Sequence, residues 1–141
     1  MFTYQLAFSL NWVVFLFFYY VLVFKILDPS VQVTWWNSDQ VPWCAGFVNF
    51  VLKTAGYEST NDLTAGSYSN FGKQVVEPQP GDIVFYSFEG NGIADHVEII
   101  VGASKDGITT VGGNTSPDHA TTASQANGNG VYLRHRPYLY V

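Results

Sequence analysis

Three residues have the types and the order needed for nucleophilic catalysis: Cys44, His96 and Asn114. Cys44 is the only cysteine in the chain, so no intramolecular disulfide can form and the thiol is free. It opens the clearest helical pattern in the sequence. Cys44, Phe47, Val48, Val51, Leu52 and Ala55 recur at the spacing of one apolar helix face. Pro42 suits the entry, Lys53 the last turn, and Gly56 the stop. At a helix start the free N–H groups and the dipole favour a thiolate over a thiol, which is the nucleophilic form. The plainer reading of a lone cysteine is a small buried hydrophobe.

His96 begins a strand-like run. Glu98 and Ile100 share its face, and Val97, Ile99 and Val101 share the other. A polar pair at the end of an apolar strand suits a general base that must meet a thiol while held by a rigid sheet. The plainer reading is an exposed strand-end histidine. Asn114 follows Gly112 and Gly113. Its amide could accept the imidazole N–H and fix the tautomer, the third-group role of a Cys–His–Asn set; by itself Gly-Gly-Asn is an ordinary turn. His119, in a polar loop, and His135, within Arg134-His135-Arg136, read as solvated. No spacing of strong metal-ligand type and no glycine-rich phosphate loop is present, so neither a metal nor a cofactor is expected.

The elements that would position these groups are a helix followed by strands. After the helix, residues 58–81 are rich in Ser, Thr, Asn and Gly, with one short helix expected around Leu63 to Phe71. Strands are expected over Asp82–Phe88, His96–Val101, Gly107–Val111 and Gly130–Arg136, separated by Gly- and Asn-rich turns. Ser116 to Gly130 reads as a long polar loop. One helix and then a run of strands predicts an α+β fold with an antiparallel sheet.

The 141-residue chain carries a net charge of -5 with only 6 Lys and Arg, which argues against nucleic-acid binding. Charged residues make up 12%, about half the usual share, and the shortfall is concentrated at one end. No charged side chain precedes Lys25, and the same stretch is crowded with Phe, Trp and Tyr. Leu6 to Phe24 is long enough to cross a bilayer. A cleaved signal peptide fits less well, because no Lys or Arg precedes the run and no small-x-small site follows. The expected organisation is an apolar segment at 1–27 serving as a membrane anchor, a linker at 28–36 and a domain at 37–141. Packing of the apolar segment as a helix or strand on protein is the alternative.

Four motifs, in order, resemble the CHAP and NlpC-type cysteine peptidase superfamily. They are Pro42-Trp43-Cys44-Ala45-Gly46-Phe47-Val48-Asn49, Pro80-Gly81-Asp82 leading a strand, Asp95-His96-Val97-Glu98 and Gly112-Gly113-Asn114-Thr115. The likeness covers about Asn37 to Val141 and is nearest to small phage-type and bacterial cell-wall lysins. It implies a papain-like α+β fold, with a nucleophile helix packed on an antiparallel sheet and, here, an apolar helix ahead of it. It implies cleavage of a peptidoglycan amide bond, in the stem or cross-bridge peptide or between muramic acid and L-alanine. In that picture Cys44 is the nucleophile, His96 the general base and Asn114 its orienting partner, with the Cys44 N–H helping to hold the oxyanion. Many relatives carry Glu two residues before the Asn. Gly112 stands there in this chain, leaving Asn114 to act alone or with Glu98. Trp43 would either flank the substrate or belong to the core.

The expected partners are therefore peptidoglycan and a membrane, and the expected setting is the cell wall, the envelope or a phage virion. A catalytically idle wall-binding or virion structural module on the same fold is the alternative of a different class.

Overall fold

The computed structural model describes residues 3–5, 42–117, 128 and 130–138. Its elements are strand β1 (Thr3–Gln5), helix α1 (Cys44–Thr54), a 3₁₀ turn (Ala65–Asn70), and strands β2 (Lys73–Val75), β3 (Ile83–Tyr86), β4 (His96–Ser104), β5 (Gly107–Thr115) and β6 (Gly130–Pro137). The strands form one sheet in the order β2-β1-β3-β4-β5-β6, with every pairing antiparallel. The fold is the expected α+β arrangement of a helix on an antiparallel sheet.

Helix α1 follows its periodicity. Phe47, Val48, Val51 and Leu52 are buried and pack with Ile83, Val97, Ile99 and Val111 of the sheet. The helix ends where Gly56 adopts φ +82°, a left-handed conformation that glycine enters without steric cost. The close approach of helix to sheet depends on a second glycine. A Cβ placed on Gly113 would lie 2.5 Å from Trp43 Cζ3 and 2.6 Å from Phe47 Cβ. Trp43 is half-buried against this cluster, which favours the core over the substrate for most of its surface.

The opposite face of the sheet is also covered. Val84, Tyr86, Ile100 and Ile108 form a second cluster, with Phe88 and Tyr138 packed on it. Strand β4 is thus buried on both sides from His96 to Ile100. The Pro-Gly-Asp turn locks β4 in place. Gly81 N donates to Ile100 O at 2.8 Å, Ile100 N donates to Asp82 O at 2.8 Å, and the buried Asp82 carboxylate accepts the Gln79 N–H at 2.8 Å.

Two short strands escaped the sequence reading. β2 has only three residues and no apolar alternation to mark it. β1 lies inside the segment expected to be an apolar helix, and it pairs with both β2 and β3. At Thr3–Gln5 that segment is therefore strand, and the run expected to cross a membrane, Leu6 to Phe24, falls outside the described residues. Among the described residues no helix is long and apolar enough to span a bilayer. His119 and most of the 116–130 loop likewise lie outside the described residues.

Because Gly113 clears space for two aromatic side chains, Gly113→Ala should overpack the helix–sheet joint. A loss of about 1–3 kcal/mol in unfolding free energy is expected. Urea denaturation of the two proteins checks it.

Candidate active site

The register of the sheet decides which side chains meet. Tyr86 is opposite His96 and Val84 opposite Glu98, Ile100 is opposite Thr110, and Thr110 and Ile108 are opposite Arg134 and Arg136. Residues directly opposite share a face, so His96, Glu98, Tyr86, Thr110 and Arg136 all project from the same side. They converge on one carboxylate.

Glu98 is 0% exposed and accepts five hydrogen bonds. Oε1 receives His96 Nε2 at 3.0 Å and Arg136 Nη2 at 2.6 Å. Oε2 receives Arg136 Nε at 3.1 Å, the Tyr86 hydroxyl at 3.1 Å and the Thr110 hydroxyl at 2.5 Å. Burial alone would push this carboxyl toward its neutral form, but the His96 and Arg136 contacts outweigh it and hold the group well below the usual carboxylate range. The Tyr86 hydroxyl is driven the other way, well above its ordinary value, by burial and by the Glu98 charge. It is a permanent donor. The Arg136 guanidinium lies over the Tyr86 and Phe88 rings, 5.1 and 5.4 Å from their centroids, and those rings are stacked at 5.2 Å.

His96 is 0% exposed. Burial disfavours its charged form. The neighbouring Cys44 and Glu98 side chains outweigh that and raise its pKa from 6.5 to about 9. Nε2 is committed to Glu98, which leaves the buried Nδ1 as the nitrogen available to the thiol. Cys44 is 1% exposed, at the first position of α1. Helix start and strand start thus bring thiol and imidazole together.

Asn114 is 6% exposed and adopts φ +56°, a left-handed conformation that asparagine tolerates better than most residues. Its carbonyl accepts the Gly128 N–H at 3.0 Å, closing the base of the 116–130 loop. At the same base the Arg134 guanidinium donates to the Ser116 carbonyl. On the other flank, Asn49 of α1 pins the 58–70 segment. Its Oδ1 accepts the Tyr68 hydroxyl at 2.6 Å and the Thr60 hydroxyl at 3.2 Å, and its Nδ2 donates to the Asp62 carbonyl at 2.8 Å.

Of the sequence-identified residues, the structure brings together Cys44, His96 and Glu98, with Trp43 beside the thiol in sequence and packed over Gly113. His135 is exposed, as expected, but its neighbours Arg134 and Arg136 are buried. The sequence reading missed Arg136, Tyr86 and Thr110. The alternation in β6 carried a signal for the arginines, since Arg134 and Arg136 share a strand face. Among the described residues no group of His, Cys, Asp and Glu could hold a metal ion.

A thiol at a helix start set against an imidazole on an antiparallel sheet is the arrangement of papain-like cysteine hydrolases. A family profile described as the CHAP domain matches residues 36–114, more than half of the chain, and the protein belongs to that family. CHAP domains are typically cysteine- and histidine-dependent amidohydrolases that act on peptidoglycan. No curated protein and no solved structure matches the chain.

The raised His96 pKa links folding to pH. The folded state holds the proton to about 9 and the unfolded state only to about 6.5. This group's contribution is therefore fully present below about pH 6.5 and lost as pH rises through 9, with a span of order 3 kcal/mol. Denaturant melts at pH 6 and pH 10 should show that decline in the wild type, and His96→Gln should lack it.

Proposed function

We propose that the protein hydrolyses an amide bond of peptidoglycan through a cysteinyl acyl-enzyme. The observation that carries this reading is the imidazole of His96, set against the Cys44 thiol on one side and hydrogen-bonded to a buried anion on the other. His96 takes the Cys44 proton, and the thiolate sulfur attacks the scissile carbonyl carbon. The carbonyl oxygen becomes an oxyanion, held in part by the backbone N–H of Cys44 at the helix start. Collapse re-forms the carbonyl and breaks the C–N bond, and the imidazolium gives its proton to the departing amine. Water then attacks the thioester, His96 accepts the water proton, and the acid product leaves with the thiol restored.

In this reading Glu98 is the third group. It stabilises the imidazolium and fixes the ring with Nε2 toward the sheet and Nδ1 toward the thiol. The Asn114 carbonyl closes the base of the 116–130 loop, and its side chain keeps the orienting role that the family resemblance implies, beside Glu98. Stem-peptide, cross-bridge and muramoyl-L-alanine linkages are all amides that this chemistry would cut. A small phage-type or bacterial lysin is the kind of enzyme that fits.

Cys44→Ala should keep the fold and reduce cell-wall clearing by about 10³-fold or more, and His96→Ala should do the same. Glu98→Gln should cost far more rate than Asn114→Ala. Turbidity loss of purified cell walls measures the rates, and mass analysis of the released muropeptides names the bond. Clearing by Cys44→Ala at the wild-type rate would sink the proposal. No clearing by the wild type would point to an idle wall-binding or virion module.

A further inference from the structure

Arg136 takes no part in the chemical steps above, yet it is 1% exposed and reaches from β6 across β5 to the one carboxylate that His96 uses. Its fork is bidentate, with Nη2 on Oε1 at 2.6 Å and Nε on Oε2 at 3.1 Å. Oε1 is the same oxygen that meets His96 Nε2. A planar guanidinium engages both carboxylate oxygens at once, which a lysine ammonium cannot do. The plane is itself set by the Tyr86 and Phe88 rings beneath it.

The space for this arrangement comes from β5. A Cβ on Gly112 would lie 2.5 Å from Glu98 Cγ and 2.8 Å from Oε1. Gly112 has no left-handed φ that would demand glycine. The residue is small because Glu98 fills the volume a side chain would take.

We propose that Arg136 is a positioning residue of the active site, holding Glu98 ionised and in the rotamer that reaches His96, and that Gly112 is the clearance this geometry requires. The inference rests on the cysteine–histidine reading of the site. The ionisable groups facing His96 are Cys44 from α1, Tyr86 from β3 and Glu98 from its own strand, with Arg136 from β6 behind the carboxylate. Tyr86 stays neutral throughout the range in question. Removing Arg136 leaves a buried carboxylate short of two donors and its counter-charge, and such a group takes up a proton. A neutral carboxyl no longer stabilises the imidazolium, so His96 titrates lower.

The test is an NMR titration of the His96 ring nitrogens in the full chain, which needs no substrate. The wild-type midpoint is expected near 9. Arg136→Met should lower it by at least about one pH unit. Gly112→Ala should also lower it with the arginine still present, because the added methyl displaces Glu98. Arg136→Lys keeps the charge without the fork and should give a smaller fall; it decides the matter if Arg136→Met does not fold. The alkaline limb of the pH–rate profile for cell-wall clearing should move with these midpoints. A folded variant at either position with the wild-type midpoint overturns the proposal. A wild-type protein that fails to clear walls while the variants still shift the midpoint removes the peptidoglycan reading and leaves the positioning role standing.

Discussion

The Glu98 carboxylate is the group on which the rest of the site depends. A charge with no solvent exposure is among the most costly things a fold can contain, and it persists only when neighbours supply what water would have supplied. Here the neighbours come from four strands: Tyr86 from β3, His96 from β4, Thr110 from β5 and Arg136 from β6. None of these contacts forms until the strands are in register. A slip of one residue in any strand would turn its donor to the opposite face and leave the anion partly unpaired. The polar centre therefore ties the identity of the site to the correctness of the sheet.

The two faces of the sheet divide the labour. One receives α1 and is wholly apolar where helix and strands touch, with Phe47, Val48, Val51 and Leu52 against Val97, Ile99 and Val111. This fixes the backbone of the helix start, and with it the thiol. The other carries the carboxylate network, with apolar residues such as Val84 and Ile108 around it. His96 stands at the first position of β4, where the two systems adjoin. Two segments are tied to these rigid elements. Asn49 ties the 58–70 segment to α1, and the Asn114 carbonyl and Arg134 tie the ends of the 116–130 loop.

Much of this was legible in the chain. The 3.6-residue period from Cys44 to Ala55 marks the helix and puts the thiol at its start, and the run from His96 to Val101 marks the strand and pairs His96 with Glu98 on one face. What could not be read is which strand faces meet across the sheet. Arg136 sits in a charged strand end that looks solvated, because composition alone does not reveal that β6 lies beside β5 and two strands from an acid. Tyr86 was hidden for the same reason, since an apolar strand gives no cue that its tyrosine is a hydrogen-bond donor. The three-residue strands β1 and β2 are held by pairing with neighbours, and a local pattern cannot announce a partner 70 residues away. The glycine pair ahead of Asn114 carries shape that no local pattern announces: Gly112 makes room for Glu98, and Gly113 makes room for Trp43 and Phe47.

The distribution of charge also bears on how the site works. In the proposed mechanism, with the proton on the thiol, Glu98 and Arg136 form a neutral ion pair. When it moves to His96, the thiolate and imidazolium add one charge of each sign, so the net charge of the buried centre does not change. The transfer therefore imposes no new net charge on a desolvated region, the costliest change such a region can undergo. Glu98 lies between two cations in the second state, sharing Oε1 with both, and is held far below its ordinary pKa. A carboxylate so placed does not accept the proton from the imidazolium. It is a fixed negative charge and an anchor for the His96 ring.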